Sequence, residues 1–173
     1  MTLQNILDDY YSRPGDSHII HCKNQTTLSS AIYVAASALN ELEEIHGHQK
    51  RVGYKASKQF ALHLLTAEHL IKNARDFEEL LKIVSSNRTH RIGALAIYDA
   101  AERIGIFLGI LPTKIYLHCG SKEGAAKLLA PLKGKKSLNM TDLPIVWQQA
   151  GLMPQQIENI FCIYKKHLHL NLR

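Results

Sequence analysis

Apolar residues recur every three or four positions along most of the chain, and this spacing is typical of amphipathic α-helices. The clearest stretches predict helices over residues 2–11, 27–44, 57–73 and 77–84, and from Pro154 onward. Strands are only weakly signalled, since the β-prone pieces are limited to HII near residue 19 and KIYLH near residue 115. The pattern therefore predicts an all-α fold, a compact bundle of seven to eight short helices.

The length and composition of the chain predict one domain. A chain of 173 residues with 46% hydrophobic residues can bury a core of its own. We predict a single helical domain over residues 1–173, in which residues 88–130 form the core and the C-terminal helices of residues 137–173 pack on it. Residues 16–27 are polar at both ends and are predicted to be irregular.

Sequence signals for export and for membrane insertion are missing. The N-terminus has no basic region followed by an apolar stretch and a cleavage site, and no window approaches about 18 consecutive apolar residues. The three cysteines, Cys22, Cys119 and Cys162, form no C-x-x-C motif, which favours a reducing compartment. We therefore expect a cytoplasmic protein that does not contact a membrane.

The positive charge of the chain is concentrated in one stretch. The formal net charge is +6, and residues 88–136 alone hold nine Lys and Arg against three Asp and Glu. Residues 1–87, by contrast, hold nine against ten. This distribution favours a module that faces an anion over a generally basic surface.

Two glycine-containing turns lie in the basic stretch, each between segments of helical spacing. The first is residues 89–93, which lead into a helix. The second is predicted at residues 120–122, after a short helix that Pro112 opens, with Ser121 as the N-cap of the next helix. Small side chains at residues 124–126 would let that helix lie close to a neighbour. Helix N-termini exposed at such turns offer unpaired N–H groups to a phosphate.

The pair of turns resembles the helix-hairpin-helix family of DNA-binding motifs, over about a quarter of the chain. The family pattern is an apolar residue, a Gly-x-Gly hairpin and a small or apolar residue shortly afterwards. Here Arg91 stands at the usual first Gly, and residues 119–121 keep a single Gly. The resemblance implies one or two helix-hairpin-helix-like units that bind duplex DNA without sequence specificity. The stretch from Arg91 to Leu129 is also similar to small bacterial proteins, a likeness that implies no activity.

The predicted DNA contacts come from both turns and from the charges around them. If both turns face the same way, their amides and side chains would contact phosphates on both flanks of a minor groove without reading bases. Tyr98 and Tyr116 are the only tyrosines there that could stack on bases, so a duplex is favoured over a single strand. The predicted binding residues are Arg88, His90, Arg91, Gly93, Gly120, Ser121, Lys122, Lys127, Lys133, Lys135 and Lys136.

Ten histidines in the chain invite a search for a metal site. His18, His21 and Cys22 form an H-x-x-H-C cluster, and His46 and His48 form H-x-H. Neither cluster has the spacing of a known zinc module, and two separate loops would have to converge. We therefore expect structural or solvated histidines, with no metal and no cofactor.

The sequence contains no catalytic signature. Cys119 beside His118 is weighed as a nucleophile, but neighbours in sequence rarely face one another, and cysteine commonly packs as a small hydrophobic residue. Asp99, four residues before Arg103, is interpreted as one half of an ordinary helical ion pair. We therefore expect a non-enzymatic protein without catalytic residues.

Two other functions stay open from the sequence. One is a helical protein–protein adaptor, whose shared surface would combine the apolar residues of 104–112 with Phe161 and Tyr164 of the last helix. The other is a DNA glycosylase-like or nuclease-like enzyme. Against the enzyme, residues 88–136 hold only three carboxylates, Asp99, Glu102 and Glu123.

Overall fold

The computed structural model describes residues 1–129 and 131–169, and the chain divides into two compact units. The terminal unit comprises Met1–Pro14 and Pro112–Arg173, and the central unit is Gly15–Leu111. The boundary therefore falls inside residues 88–130, which the sequence predicts as one core. Ala130 of that predicted core and residues 170–173 of the predicted C-terminal region lie outside the described residues.

Helices dominate the described residues, so the prediction of a mostly helical fold is confirmed. Two short strands, β1 (Ile115–Tyr116) and β2 (Ser137–Leu138), pair antiparallel and are the departure from an all-α fold. In chain order the helices are α1 (Leu3–Ser12), α2 (Ser17–Lys23), α3 (Leu28–Ser37), α4 (Tyr54–Leu65), α5 (Glu68–Lys72), α6 (Phe77–Ser86), α7 (Ala94–Leu108), α8 (Cys119–Leu128), α9 (Ile145–Gln148) and α10 (Pro154–Ile163).

Helix α3 lies at the middle of the central unit, where it contacts α2, α4, α5 and α7. Its buried face consists of small and branched apolar residues such as Ala31 and Ile32, both fully buried. Helices α6 and α7 also pack on each other, and the rings of Phe77 and Tyr98 meet edge to face with centroids 6.0 Å apart. This packing holds α7 in place, and α7 begins directly after the first predicted turn.

Helix α3 ends at Ser37, so the predicted continuation to about Glu44 is wrong. Ala38 has a left-handed backbone with a φ of 57°, which stops the helix. The Asn40 side chain then accepts hydrogen bonds from the Leu42 and Glu44 amides at 3.0 and 2.9 Å, and these bonds stabilise a turn in place of further helix. The chain therefore folds back toward α2.

Two further helix predictions are corrected in the central unit. Residues 16–27, predicted to be irregular, contain α2, because the Asp16 carboxylate accepts a hydrogen bond from the His18 amide at 2.8 Å and caps the helix. The predicted helix over residues 57–73 starts earlier and is divided into α4 and α5. The break comes at Thr66, whose hydroxyl donates to the carbonyl three residues before it at 2.7 Å.

The terminal unit packs around one apolar core. Helix α10 contacts α8 and β1, and the rings of Trp147 and Phe161 lie 5.5 Å apart between centroids. The Tyr164 hydroxyl donates to Asp9 of α1 at 2.5 Å, and Arg13 pairs with the same carboxylate at 3.0 Å. The buried residues of this core are Ile6, Ile115, Leu117, Ala125, Leu128, Leu132, Leu138, Leu143, Trp147, Leu152, Ile157, Ile160, Phe161, Tyr164 and Leu168.

The second predicted turn is wrong. Ile115 and Tyr116, predicted to be helical, form β1, and residues 120–122 lie inside the first turn of α8. Ser121 is not the N-cap, because that position belongs to His118. The Ser121 hydroxyl accepts from the His118 amide at 2.9 Å and is fully buried. Of the two predicted hairpins, only the first lies between two helices.

The cysteines are expected to differ sharply in reactivity. Burial raises the pKa of the Cys22 thiol to about 12, although the charge of Arg103 opposes the shift, and the side chain is fully buried. Cys119 is exposed. Since the thiolate is the reactive form, iodoacetamide at mildly alkaline pH should modify Cys119 quickly and Cys22 only after unfolding. Peptide mass mapping over time measures both rates of modification. The Cys119→Ser variant supplies the control. Fast labelling of Cys22 in the folded protein would contradict the expectation.

Candidate nucleic-acid interface and histidine cluster

Two basic loops of the central unit lie against each other. One is the loop of residues 87–93, which contains the first predicted turn, and the other is residues 46–53, which follow the turn after α3. The Nη2 atom of Arg91 donates to the carbonyl oxygen of Arg51 at 3.3 Å. This contact joins two loops that are far apart in the sequence and adds Arg51, which was not among the predicted DNA contacts, to the candidate interface.

Each of these loops enters a long helix through a glycine. Gly93 precedes α7, of 15 residues, and Gly53 precedes α4, of 12 residues; neither helix has a side-chain cap. A Cβ atom added to either glycine would meet nothing within 4 Å, so the space beside both is open. The first amides of a helix have no partner within the helix, and they carry the positive end of its dipole. Both helix starts are therefore suited to an anion.

The first turn holds its charged side chains outward. Arg88, His90, Arg91 and Gly93 are all exposed, while Ile92 between them is buried at 6% exposure and fixes the turn to the core. Arg91 has a φ of 70°, in the left-handed region that favours glycine. The backbone at this position therefore has a conformation that glycine would adopt more readily.

The remaining predicted contacts belong to the terminal unit and differ in exposure. The lysines are exposed, at positions 122 and 127 of α8 and at 133, 135 and 136 before β2. Lys135 pairs with Asp142 at 3.4 Å. Ser121 is buried, and Gly120 packs against Cys162 of α10, so neither forms an exposed turn. These two residues are structural, and a phosphate contact through their amides is not supported.

The tyrosines considered for base stacking are both buried. Tyr98 is 1% exposed and Tyr116 is 9% exposed. Phe161 and Tyr164, which the adaptor hypothesis places on a shared surface, are also buried in the core of the terminal unit. The adaptor surface predicted from these two side chains is therefore wrong.

The two histidine segments do converge, contrary to the sequence expectation. Asp16 and His18, at the start of α2, meet His46, which follows the turn after α3. The Nε2 atom of His46 lies 3.4 Å from Asp16 Oδ2, and the Nδ1 atom of His18 lies 3.4 Å from Asp16 Oδ1. The His18 and His46 rings meet edge to face with centroids 4.7 Å apart. We name Asp16, His18 and His46 the histidine cluster.

A second group shares His46 with the histidine cluster. His48 Nδ1 lies 3.6 Å from Asp99 Oδ2, and the side-chain amide of Gln49 donates to the same oxygen at 2.6 Å. Asp99 therefore bonds across to the loop at residues 46–49, and the helical ion pair predicted with Arg103 is not its main contact. Arg103 is buried, and its Nη1 atom donates to the carbonyl oxygen of Ala35 at 3.3 Å.

The electrostatics keep the carboxylates of this region ionised. Burial opposes the charge of Asp16, but the His46 ring, the His18 amide and the positive charge of Arg103 outweigh it and hold the pKa of the carboxyl well below its usual value. The pKa of Asp99 is also lowered, because His48 and Arg103 outweigh the effect of burial. Burial lowers the pKa of His18, and Arg103 adds to that effect. The region thus combines ionised carboxylates with a His18 ring whose charged form is disfavoured.

Comparisons with known proteins leave the family open. No family model, curated protein or solved structure matched the chain. Within the described residues, none of the helices has the length and apolar character needed to cross a membrane. The helix-hairpin-helix family therefore stays a prediction.

Proposed function

We propose that the protein binds the phosphate backbone of duplex DNA without sequence specificity, through the two basic loops of the central unit. The observation that supports this most is the contact between Arg91 and Arg51, because it joins the glycine entrances of α7 and α4. Two uncapped helix starts and several exposed cations then lie on adjoining loops. We name Lys50, Arg51, Arg88, His90 and Arg91 the basic loop pair.

The chemistry of the basic loop pair suits phosphate better than bases. Guanidinium groups and helix N-terminal amides both donate to phosphate oxygens, and such contacts position a protein on DNA without reading its sequence. Stacking on single-stranded bases needs exposed aromatic rings, and the two tyrosines considered for it, Tyr98 and Tyr116, are buried. Tyr54, at the start of α4, is exposed, but the Lys58 ammonium already lies 5.6 Å from the centroid of its ring. These features favour a duplex.

The first turn also supports a helix-hairpin-helix-like origin for the proposed contact. Arg91 stands where the family usually has its first Gly, and its φ of 70° is a conformation that glycine favours. The second turn contributes no hairpin, so the proposal now rests on one hairpin. The lysines of the terminal unit, Lys122, Lys127, Lys133, Lys135 and Lys136, are proposed to add only long-range attraction.

The proposal is tested by fluorescence anisotropy with a short labelled duplex across a range of salt concentrations. The affinity should fall steeply with salt, since each neutralised phosphate contributes a slope of about −0.9 in log K against log salt. The variant Arg51→Gln/Arg88→Gln/Arg91→Gln should weaken binding and lower the magnitude of that slope by about 3, or about 1 per lost contact. An unlabelled duplex of unrelated sequence should compete equally.

A matched control removes the same number of positive charges from another part of the central unit. Lys72→Gln/Arg75→Gln/Lys82→Gln removes three exposed cations near α5 and α6 and should leave the salt slope unchanged. Arg91→Gly removes one charge while easing the backbone, so it should weaken binding without lowering stability. The proposal is wrong if the wild-type protein shows no binding at low salt, or if the control variant loses as much affinity as the loop variant.

A further inference from the structure

The donor atoms of the histidine cluster lie farther apart than in good hydrogen bonds and close enough together to share one ion. Asp16 approaches His18 through Oδ1 and His46 through Oδ2, at 3.4 Å in both cases. An N–H···O bond is normally about 2.7–3.2 Å long. One donor atom from each of the three side chains lies within 4.8 Å of the other two. Zinc lies about 2.0–2.2 Å from its nitrogen and oxygen ligands, so small rotations of these side chains would place one ion among all three.

The His18 ring is held so that its Nδ1 atom lies beside a carboxylate. Its Nε2 atom lies 3.0 Å from the Glu44 carbonyl oxygen, and a carbonyl oxygen only accepts, so Nε2 carries a proton. The Nδ1 atom is therefore the ring atom that can bind a cation. It lies 3.4 Å from Asp16 Oδ1 and 3.4 Å from the Ser17 hydroxyl. A cation at this position would contact both the ring nitrogen and the carboxylate.

A ring proton held by a backbone carbonyl is also the usual second contact of a metal-binding histidine. His46 completes the set with its Nε2 atom, although its Nδ1 atom accepts from the His48 amide at 3.3 Å. When the Nε2 atom of His46 binds the ion, the ring proton moves to Nδ1. The Nδ1 atom then no longer accepts the 3.3 Å hydrogen bond from the His48 amide.

We infer that Asp16, His18 and His46 form a binding site for one divalent transition-metal ion of the zinc class. Two imidazoles and one carboxylate suit zinc, cobalt or iron(II), whereas calcium and magnesium prefer oxygen ligands throughout. Three protein ligands leave a fourth position for water or another small ligand. All three residues lie within the central unit, and none of them belongs to the basic loop pair, although His46 begins the loop that carries Lys50 and Arg51.

Titration of the full chain with Co²⁺ and Zn²⁺, after removal of metal with a chelator, tests the site. We expect one equivalent of Co²⁺ to bind with visible absorption bands of a four- or five-coordinate ion, and Zn²⁺ to displace it. Ca²⁺ and Mg²⁺ should not compete. His18→Asn, His46→Asn and Asp16→Asn should each weaken Zn²⁺ binding at least about tenfold by calorimetry. Asparagine at position 16 keeps the helix cap, so that variant should stay folded.

Controls separate this site from unrelated histidines and from the neighbouring group. His63→Asn, on the exposed face of α4, should leave affinity unchanged. Circular dichroism of each variant verifies the fold. Absence of Zn²⁺ binding to the folded wild-type protein would overturn the inference. So would affinity that is retained in His18→Asn and Asp16→Asn but lost in His48→Asn, because the ion would then lie between His46, His48 and Asp99.

Discussion

Replacement of Gly124 by alanine should destabilise the terminal unit by about 3 kcal/mol or more. In most helix interiors this change is stabilising by about 0.5–1 kcal/mol, because glycine is a poor helix former. Here α8 and α10 approach so closely that a Cβ atom at position 124 would overlap the backbone carbonyl of Phe161. A backbone atom cannot rotate away as a side chain can, so the two helices must separate. Phe161 is fully buried, and separation would open the core around it.

The same helix offers a matched control at Gly120. A Cβ atom there would lie 2.5 Å from the sulfur of Cys162, which is a side-chain atom. Gly120→Ala should therefore be destabilising alone and should recover much of its stability when combined with Cys162→Ala. Gly124→Ala should show no such recovery with Cys162→Ala, because its clash is with the backbone.

Unfolding of the terminal unit can be followed on its own. Trp147 is the single tryptophan of the chain and is fully buried in this unit. Urea unfolding monitored by its fluorescence gives the free energy of unfolding for each variant. A Gly124→Ala protein as stable as the wild type would show that α8 and α10 do not pack at the distance described.

Helices were predictable where apolar spacing and a cap agreed. The spacing of residues 2–11 matches α1, Asp76 caps α6 with a carboxylate that accepts from the Glu79 amide at 2.9 Å, and Pro154 is the first residue of α10. The small residues at 124–126 correctly indicated a close helix contact, at Gly124. Local sequence carries these signals, because caps and spacing act within one or two turns.

The errors came from side chains that compete with the helix and from distant contacts. The Asn40 side chain stabilises the turn after α3. The preference of asparagine for turns is only a weak signal in a sequence. Ile115 pairs with Leu138 in the sheet, and no local pattern predicts that partner. The sequence pattern could not decide between helix and strand here, because short apolar runs fit both equally well.

The candidate sites show the same limit. Clustering of Lys and Arg could be read from composition, and exposure of Arg88, His90 and Arg91 agrees with it. The contact of Arg91 with Arg51 and the meeting of His18 with His46 depend on how α3 ends and the chain turns back. Because that turn was predicted as helix, the convergence of the two histidine segments was missed.

Replacement of Arg103 by methionine should destabilise the central unit by about 1–3 kcal/mol, the cost of leaving a buried hydrogen-bonding group without its partner. The side chain is 3% exposed, and its positive charge helps keep Asp16 and Asp99 ionised. Methionine fills a similar volume but leaves the buried carboxylate of Asp99 without that charge, and it leaves the Ala35 carbonyl without its donor. The loss therefore reflects the unpaired Ala35 carbonyl and the weaker stabilisation of the carboxylates more than lost packing.

Arg75→Met is the matched control, because it removes the same type of side chain from an exposed position. Arg75 pairs with Glu79 at 2.9 Å, but its side chain is 84% exposed, and exposed ion pairs contribute little. Arg103→Lys should recover part of the stability, since it keeps the charge while losing the planar donors. Chemical denaturation followed by circular dichroism, together with the rate of Cys22 alkylation, reports on the central unit. Equal stability of Arg103→Met and Arg75→Met would show that the guanidinium does not compensate the carboxylates, and the electrostatic account of the region would then fail.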